Sequence, residues 1–77
     1  MQCVVYKGQK KLDHYLYVER EDDFSRVPQA LLDLLGPLEL VIGLELSSER
    51  HLAQADVKEV MQQLSDQGYY FQMPINK

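Results

Sequence analysis

The single cysteine and the first histidine are the residues of this chain best suited to covalent chemistry. A thiolate nucleophile needs a neighbouring base, so Cys3 could act with His14, and Asp13 or Glu19 could orient the imidazole. The alternation around Cys3 places the thiol on the same strand face as Val5, and a small buried thiol is the common outcome there. We therefore favour a structural cysteine and keep a Cys3–His14 enzyme as an alternative.

Metal and nucleotide chemistry have little support in the spacing of the polar residues. His14, His51 and Cys3 do not form the closely spaced ligand pairs that zinc sites use. The acidic run 21–23 lacks the spaced oxygen ligands and the glycine of a calcium loop. All 4 glycines are isolated, so none builds a phosphate-binding loop. We expect no metal and no cofactor.

Nucleic-acid binding is a second alternative that the charge of the chain disfavours. The net charge of −4 opposes a broad electrostatic grip on phosphates. A local cationic contact would have to come from two arginines and the lysines of one turn, which are Arg26, Arg50, Lys7, Lys10 and Lys11. Lysines at a hairpin tip more often protect the edge of a sheet.

The tyrosines offer the best candidate for a binding surface. Tyrosine combines a large apolar area with a polar tip, and arginine adds directional donors, so both residue types are frequent at protein interfaces. The proposed surface contains Tyr15, Tyr17, Tyr70 and Gln72, flanked by Arg26 and Arg50. The same tyrosines would belong to the core if a helix covered that face of the sheet.

Apolar periodicity predicts four strands and two helices. The strands are 2–7, 14–19, 38–46 and 69–73, and the helices begin near Pro28 and after Asp56 or Ser48. In the first helix the stripe Val27, Ala30, Leu31 and Leu34, widened by Leu35, is expected to face the core. Gly36 followed by Pro37 ends this helix, and Gly68 ends the second.

The run LELVIGLEL at 38–46 is expected to form the central strand. Its leucines and Ile42 alternate at a period of two, which would place all of them on one covered face. The predicted fold is therefore α+β, with a four-stranded mixed sheet in the order β-β-α-β-α-β and helices packed on the sheet. If the later strands pair in parallel, their helical connections would be right-handed crossovers.

The chain resembles the YcgL family of small bacterial proteins over nearly its whole length. The matching segments are Tyr6 and Lys7, Tyr15 to Val18, Arg26 to Pro28, Gly36 and Pro37, Leu46 with Glu49 and Arg50, Leu52 and Ala53, and Gly68 to Pro74. The resemblance implies an α/β/α-type sandwich. It carries over no catalytic residue, because the family has no assigned activity.

Length and composition predict the number of domains and the cellular location. A chain of 77 residues supports one core, so we predict a single domain over 1–74 and a loose tail at 75–77. A lone cysteine, and the absence of a long apolar run, favour a cytoplasmic protein with no membrane association. We expect a monomer that works as a non-enzymatic binding or adaptor module for a protein partner.

Overall fold

The computed structural model describes residues 1–49, 52 and 56–73, which form one open sheet with a helix packed on each face. The elements in chain order are β1 (Gln2–Gly8), β2 (Tyr15–Val18), α1 (Gln29–Leu35), β3 (Leu38–Glu45), α2 (Val57–Gln67) and β4 (Tyr69–Gln72). This order confirms the predicted ββαβαβ arrangement and the α+β class.

The four strands lie in the spatial order β3-β1-β2-β4, and every pair within the described residues is antiparallel. The sheet is therefore not mixed as predicted. The parallel pairing was wrong because β2 and β3 flank β1 on opposite sides. They run in the same direction but do not touch as neighbours, so α1 connects them across the intervening strand.

The central position predicted for 38–46 is also wrong, because β3 lies at one edge of the sheet. Leu40, Val41 and Ile42 are each about half exposed. The inner positions belong to β1 and β2, which pair through a hairpin. Apolar content alone does not decide which strand is buried, because burial also depends on what packs on each side.

A β-bulge explains why the apolar residues of β3 do not share one face. Val5 pairs with Ile42 and Tyr6 pairs with Leu40, so Val41 has no residue opposite it on β1. One extra residue reverses the side-chain alternation beyond the bulge. Leu38 and Leu40 consequently lie on the α1 side of the sheet, and Ile42 and Leu44 lie on the α2 side.

Each face of the sheet carries its own core cluster. On the α2 face the buried residues are Cys3, Val5, Tyr17, Leu46, Val57, Val60 and Leu64. On the α1 face they are Tyr6, Leu16, Val18, Val27 and Leu35. The period-two alternation predicted for β1 and β2 is thus confirmed. The two layers of helix and the sheet between them form the α/β/α-type sandwich that the resemblance implied.

Local sequence signals define where α2 begins and where α1 ends. The Asp56 carboxylate accepts a hydrogen bond from the Lys58 N–H at 2.9 Å, which caps the start of α2 as predicted. The alternative start near Ser48 falls partly on residues outside the described ranges. Helix α1 ends at Leu35, where Gly36 has φ of 72° and ψ of −158°, a region that is essentially restricted to glycine.

Candidate functional site

A long trough follows the outer edge of β4, with one helix on each side. Its volume is about 840 Å³, and its described lining comes from both helices, Pro28, all of β4 and Met73, with no residue from the other three strands. Because α1 and α2 cover opposite faces, a cavity bounded by both of them and by β4 must wrap around the edge of that strand. We call this cavity the β4 trough.

The α1 wall of the β4 trough is apolar. It consists of Ala30, Leu31 and Leu34, and Leu34 is 43% exposed. The apolar stripe predicted for this helix was expected to be core throughout, but in this helix Leu35 is the buried residue and Leu34 faces the trough. The helix has only 7 residues, so it can rest on the sheet through one turn and leave its outer leucine uncovered.

The α2 wall of the β4 trough is polar. Glu59, Gln63 and Gln67 are spaced by four residues, so they form one stripe along the helix, beside the buried stripe that contains Val60 and Leu64. The Gln67 Nε2 donates a hydrogen bond to the Tyr69 carbonyl at 3.1 Å. An amide side chain of this wall therefore already contacts the backbone of β4.

The floor of the trough is β4 itself. Tyr69 and Phe71 pack with the α1-side cluster, and Tyr70 packs with the α2-side cluster. Burial raises the pKa of the Tyr70 hydroxyl above its ordinary value, and the nearby carboxylates of Glu59 and Asp56 raise it further. The α2 side of the trough thus carries the carboxylate of Glu59, whereas the α1 side is apolar.

The tyrosines and Gln72 of the predicted binding surface lie together on the α2 face. Tyr15 pairs with Gln72 and Tyr17 pairs with Tyr70 across β2 and β4. Tyr17 and Gln72 are buried, and the Tyr17 O–H donates to the Gln72 Oε1 at 3.0 Å. Tyr15 and Tyr70 are only partly buried. Of these four residues, Tyr70 and Gln72 also line the β4 trough.

Of the two arginines that were expected to flank this tyrosine set, the structure describes Arg26. Arg26 lies at the start of β4, against Gly68, where its Nη1 is 3.7 Å from Glu19 Oε1 and its Nη2 donates to the Asp66 carbonyl at 3.3 Å. Arg50 is outside the described residues. The α1 wall and the polar stripe of α2 were not predicted from the sequence. The four-residue spacing of the stripe was a usable signal for the latter.

A smaller groove of about 290 Å³ lies on the α2 face near β3. Its lining includes Val5, Tyr15, Tyr17, Ile42 and Leu44, and the described part of the β3–α2 connection adds Leu52. Helix α2 packs over β2 and β4, so this groove occupies the side of the face that the helix leaves open. It places Tyr15 and Tyr17 beside exposed aliphatic residues of the edge strand.

The proposed nucleophile and base are not brought together. Cys3 is buried on the α2 face, whereas the His14 ring packs on Phe71 at 5.5 Å between centroids, on the α1 face. His14 also precedes the Tyr15 that pairs with Lys7, about 14 Å of extended strand from Cys3. The buried Nδ1 of His14 has no hydrogen-bond partner within the described residues, so no described carboxylate orients it through that atom.

The cations proposed for nucleic-acid contact are already engaged in part. Lys7 Nζ is 3.1 Å from the Glu39 carboxylate, and Arg26 pairs with Glu19. Across the part of the chain that the structure describes, no three His, Cys, Asp or Glu side chains converge as metal ligands would. In that same part, neither helix is long and apolar enough to span a bilayer.

Comparison with known proteins gives consistent matches. The family model of the YcgL domain matches residues 3–75. A YcgL domain-containing protein of Shewanella denitrificans is 51% identical over 74 residues, which cover 96% of this chain and 78% of that protein. Protein YcgL of Salmonella agona is 47% identical over 74 residues, which cover 96% of this chain and 72% of that protein. A putative HAD-like hydrolase of Nitrosococcus oceani is 55% identical over 71 residues, 92% of this chain but 19% of that protein.

Proposed function

The chain belongs to the YcgL family, and on this premise we propose that it is a non-enzymatic protein-binding module that works in the cytoplasm. The observation that carries the proposal is the β4 trough, about 840 Å³ of open space with a strand edge as its floor and a helix on each side. Exposed apolar surface that is rimmed by polar groups is typical of protein-interaction sites and ligand-binding grooves. The contact surface would therefore centre on β4 and α1.

The trough contains exposed apolar side chains that a partner could bury. Leu34 and Met73 are 43% and 62% exposed, and both belong to the lining of one cavity. Scattered exposed apolar residues are normal, but their convergence in one concave surface is typical of interaction sites. Tyr70, with its partly buried ring, adds the aromatic contact that interfaces favour.

The positions of the reactive side chains support a binding role over the Cys3–His14 enzyme. A general base must come within hydrogen-bond reach of the group that it activates. Cys3 and His14 lie on opposite faces of the sheet, so neither can serve the other without unfolding. The lone buried thiol also fits a reducing compartment.

The relative from Nitrosococcus oceani supports a role beside a larger polypeptide. There the matching segment makes up 19% of a protein named as a putative HAD-like hydrolase, whereas it makes up 78% of the Shewanella denitrificans relative. A domain that recurs alone and within a longer chain is able to fold as a unit and to operate next to other domains. This supports an adaptor role for the present chain.

The test is affinity capture from a nuclease-treated lysate of the native host, with three baits analysed by mass spectrometry. The baits are the wild type, Leu34→Lys in the trough and Leu12→Lys in the exposed β1–β2 turn, where Leu12 is 63% exposed. We expect the same proteins on the wild type and on Leu12→Lys, and their loss from Leu34→Lys. Equal capture by all three folded baits would contradict the trough as the binding surface.

A further inference from the structure

The outer side of β4 is open to another strand. On its inner side β4 pairs with β2 from Tyr69 to Gln72, and no other strand within the described residues lies next to it. The edge of an antiparallel sheet presents backbone donors and acceptors to any extended chain that approaches. The Gln67 side chain already donates to the Tyr69 carbonyl and lines the trough, which shows that this backbone is within reach of a donor there.

From this geometry we propose that the β4 trough receives an extended segment of a partner protein as a fifth strand, and that this segment alternates apolar with basic residues. The inference rests on the proposed function and names the partner chemistry of the same site. Addition of a peptide strand to a sheet edge is a recurring recognition mode, in which the main chain gives affinity and alternate side chains give specificity.

The difference between the two walls dictates the alternation. Successive side chains of an added strand would point to opposite faces of the sheet. Those on one face would meet Phe71, Leu31 and Leu34, which are apolar, and those on the other would meet Tyr70, Gln63 and Glu59. An apolar residue therefore fits every second position, and a polar residue fits the positions between.

The charge of the trough selects basic residues for the polar positions. Glu59 is the only charged residue in the described lining, and no lysine or arginine accompanies it. The same carboxylate contributes to the raised pKa of the Tyr70 hydroxyl, so its field reaches the floor. A lysine or arginine of the partner could form an ion pair with the Glu59 carboxylate, whereas a glutamate would be repelled by it.

Charge also favours a foreign segment over a second copy of this chain. Paired β4 strands of two copies would bring only tyrosine, phenylalanine and glutamine to the new ladder. They would also add a second Glu59 wall to the assembly, in a protein whose net charge is already −4. Within the described lining of the trough, no basic residue would then meet either carboxylate.

The experiment uses three capped eight-residue peptides with the full chain labelled with ¹⁵N. The first alternates valine and lysine, the second has the same composition in two blocks, and the third alternates valine and glutamate. We expect the first to bind, to shift the β4 and α2 resonances and to slow exchange of alternate β4 amides, with much weaker binding of the other two. Comparable affinity for the alternating and block Val-Lys peptides, or unchanged β4 amide exchange, would overturn the strand proposal.

Two variants separate the site from general charge attraction. Glu59→Gln should weaken binding of the alternating Val-Lys peptide roughly two- to fivefold, which is the range of an exposed ion pair. Glu49→Gln, an exposed carboxylate in the turn after β3, should leave its affinity unchanged. Equal loss in both variants would contradict the proposed position of the basic side chains, as would a dimer that protects the β4 amides without peptide.

The binding role of the trough and the addition of a strand can be disproved separately. If Leu34→Lys loses the captured proteins while the alternating Val-Lys peptide binds no better than the block peptide, the trough is a binding site for a surface other than a strand. If all folded baits capture the same proteins, the binding role of the trough itself fails.

Discussion

The inner strand β2 and the edge strand β3 show how little the apolar content of a segment says about its burial. β2 contains two tyrosines in four residues, and Leu16, Tyr17 and Val18 are nearly inaccessible. β3 is longer and almost entirely aliphatic at its centre, yet Leu40 and Ile42 are each 50% exposed. Position in the strand order, and the cover supplied by helices, therefore outweigh side-chain hydrophobicity in this small sheet.

The comparison is sharpest for two leucines on the same face of the sheet. Leu16→Ala should cost about 2–5 kcal/mol, because it opens a cavity in a fully enclosed site of the α1-side core. Leu40→Ala should cost about 1 kcal/mol, because half of the side chain is already in water. Urea unfolding of both variants measures the two changes in the free energy of unfolding.

The two substitutions remove the same atoms, so each is the control for the other. Equal losses of stability would mean that the outer side of β3 is covered in solution, either by the rest of the chain or by a second molecule. Repeating the measurement at several protein concentrations distinguishes these two causes, since only association depends on concentration.

The features that sequence could predict depend on near neighbours along the chain. The alternation at Tyr15 to Val18 assigned each side chain to its face, and Gly36 with Pro37 ended α1 at Leu35, because both signals act within a few residues. The bulge at Val41 and the edge position of β3 depend on pairing with β1, far away in sequence. They reversed the predicted core role of Ile42.

The same distinction applies to the candidate site. Tyr70 and Gln72 were predicted from residue type, and both line the β4 trough. Leu34 was assigned to the core because it continues the apolar stripe of α1. Its exposure depends on how a short helix rests on the sheet and on the second helix lying across the opposite face. No periodicity within α1 encodes that arrangement.

Two glycines provide the next test of the difference between inner and edge strands. A Cβ at Gly8, the last residue of β1, would lie 2.5 Å from the Leu35 carbonyl oxygen and 2.9 Å from its Cα. Backbone cannot move aside cheaply, so Gly8→Ala should cost about 1–3 kcal/mol. At Gly43 on β3 the nearest atom is 4.0 Å away, so Gly43→Ala should change stability by less than about 0.5 kcal/mol. Thermal melts resolve the pair, and a melting temperature for Gly8→Ala at or above that of Gly43→Ala would contradict the close approach of α1 to β1.

Ile42 and Val5 allow a comparison across one rung of the sheet. The two residues are directly opposite each other on the α2 face, and Val5 is 5% exposed. Ile42→Ala should cost only about 1 kcal/mol, although it removes one more carbon than Val5→Ala, which should cost about 2 kcal/mol. Guanidinium unfolding of both variants is the measurement. A larger loss of stability for Ile42→Ala than for Val5→Ala would mean that Ile42 is buried in solution, as the sequence predicted.

The smallest expected effect concerns the hydroxyl of Tyr17, in the inner strand. Tyr17→Phe keeps the ring, which meets the Tyr70 ring edge-on with centroids 5.5 Å apart, and removes the hydrogen bond to Gln72. Near neutral pH we expect a loss of about 0.5–1 kcal/mol.

Alkaline pH should then distinguish the variant from the wild type. Burial raises the pKa of the Tyr17 hydroxyl above its ordinary value, so the unfolded chain releases this proton before the folded chain does. The resulting stabilisation is complete below about pH 10 and is lost as the pH rises through the folded-state pKa. Tyr17→Phe lacks this hydroxyl and therefore has no such stabilisation to lose. The free energy of unfolding of the variant should fall less steeply above pH 10 than that of the wild type. β3 offers no equivalent group, because its ionisable residues Glu39 and Glu45 are exposed in surface ion pairs. Urea titrations between pH 8 and 11 compare the slopes, and parallel slopes would mean that the Tyr17 hydroxyl is not held away from water in the folded protein.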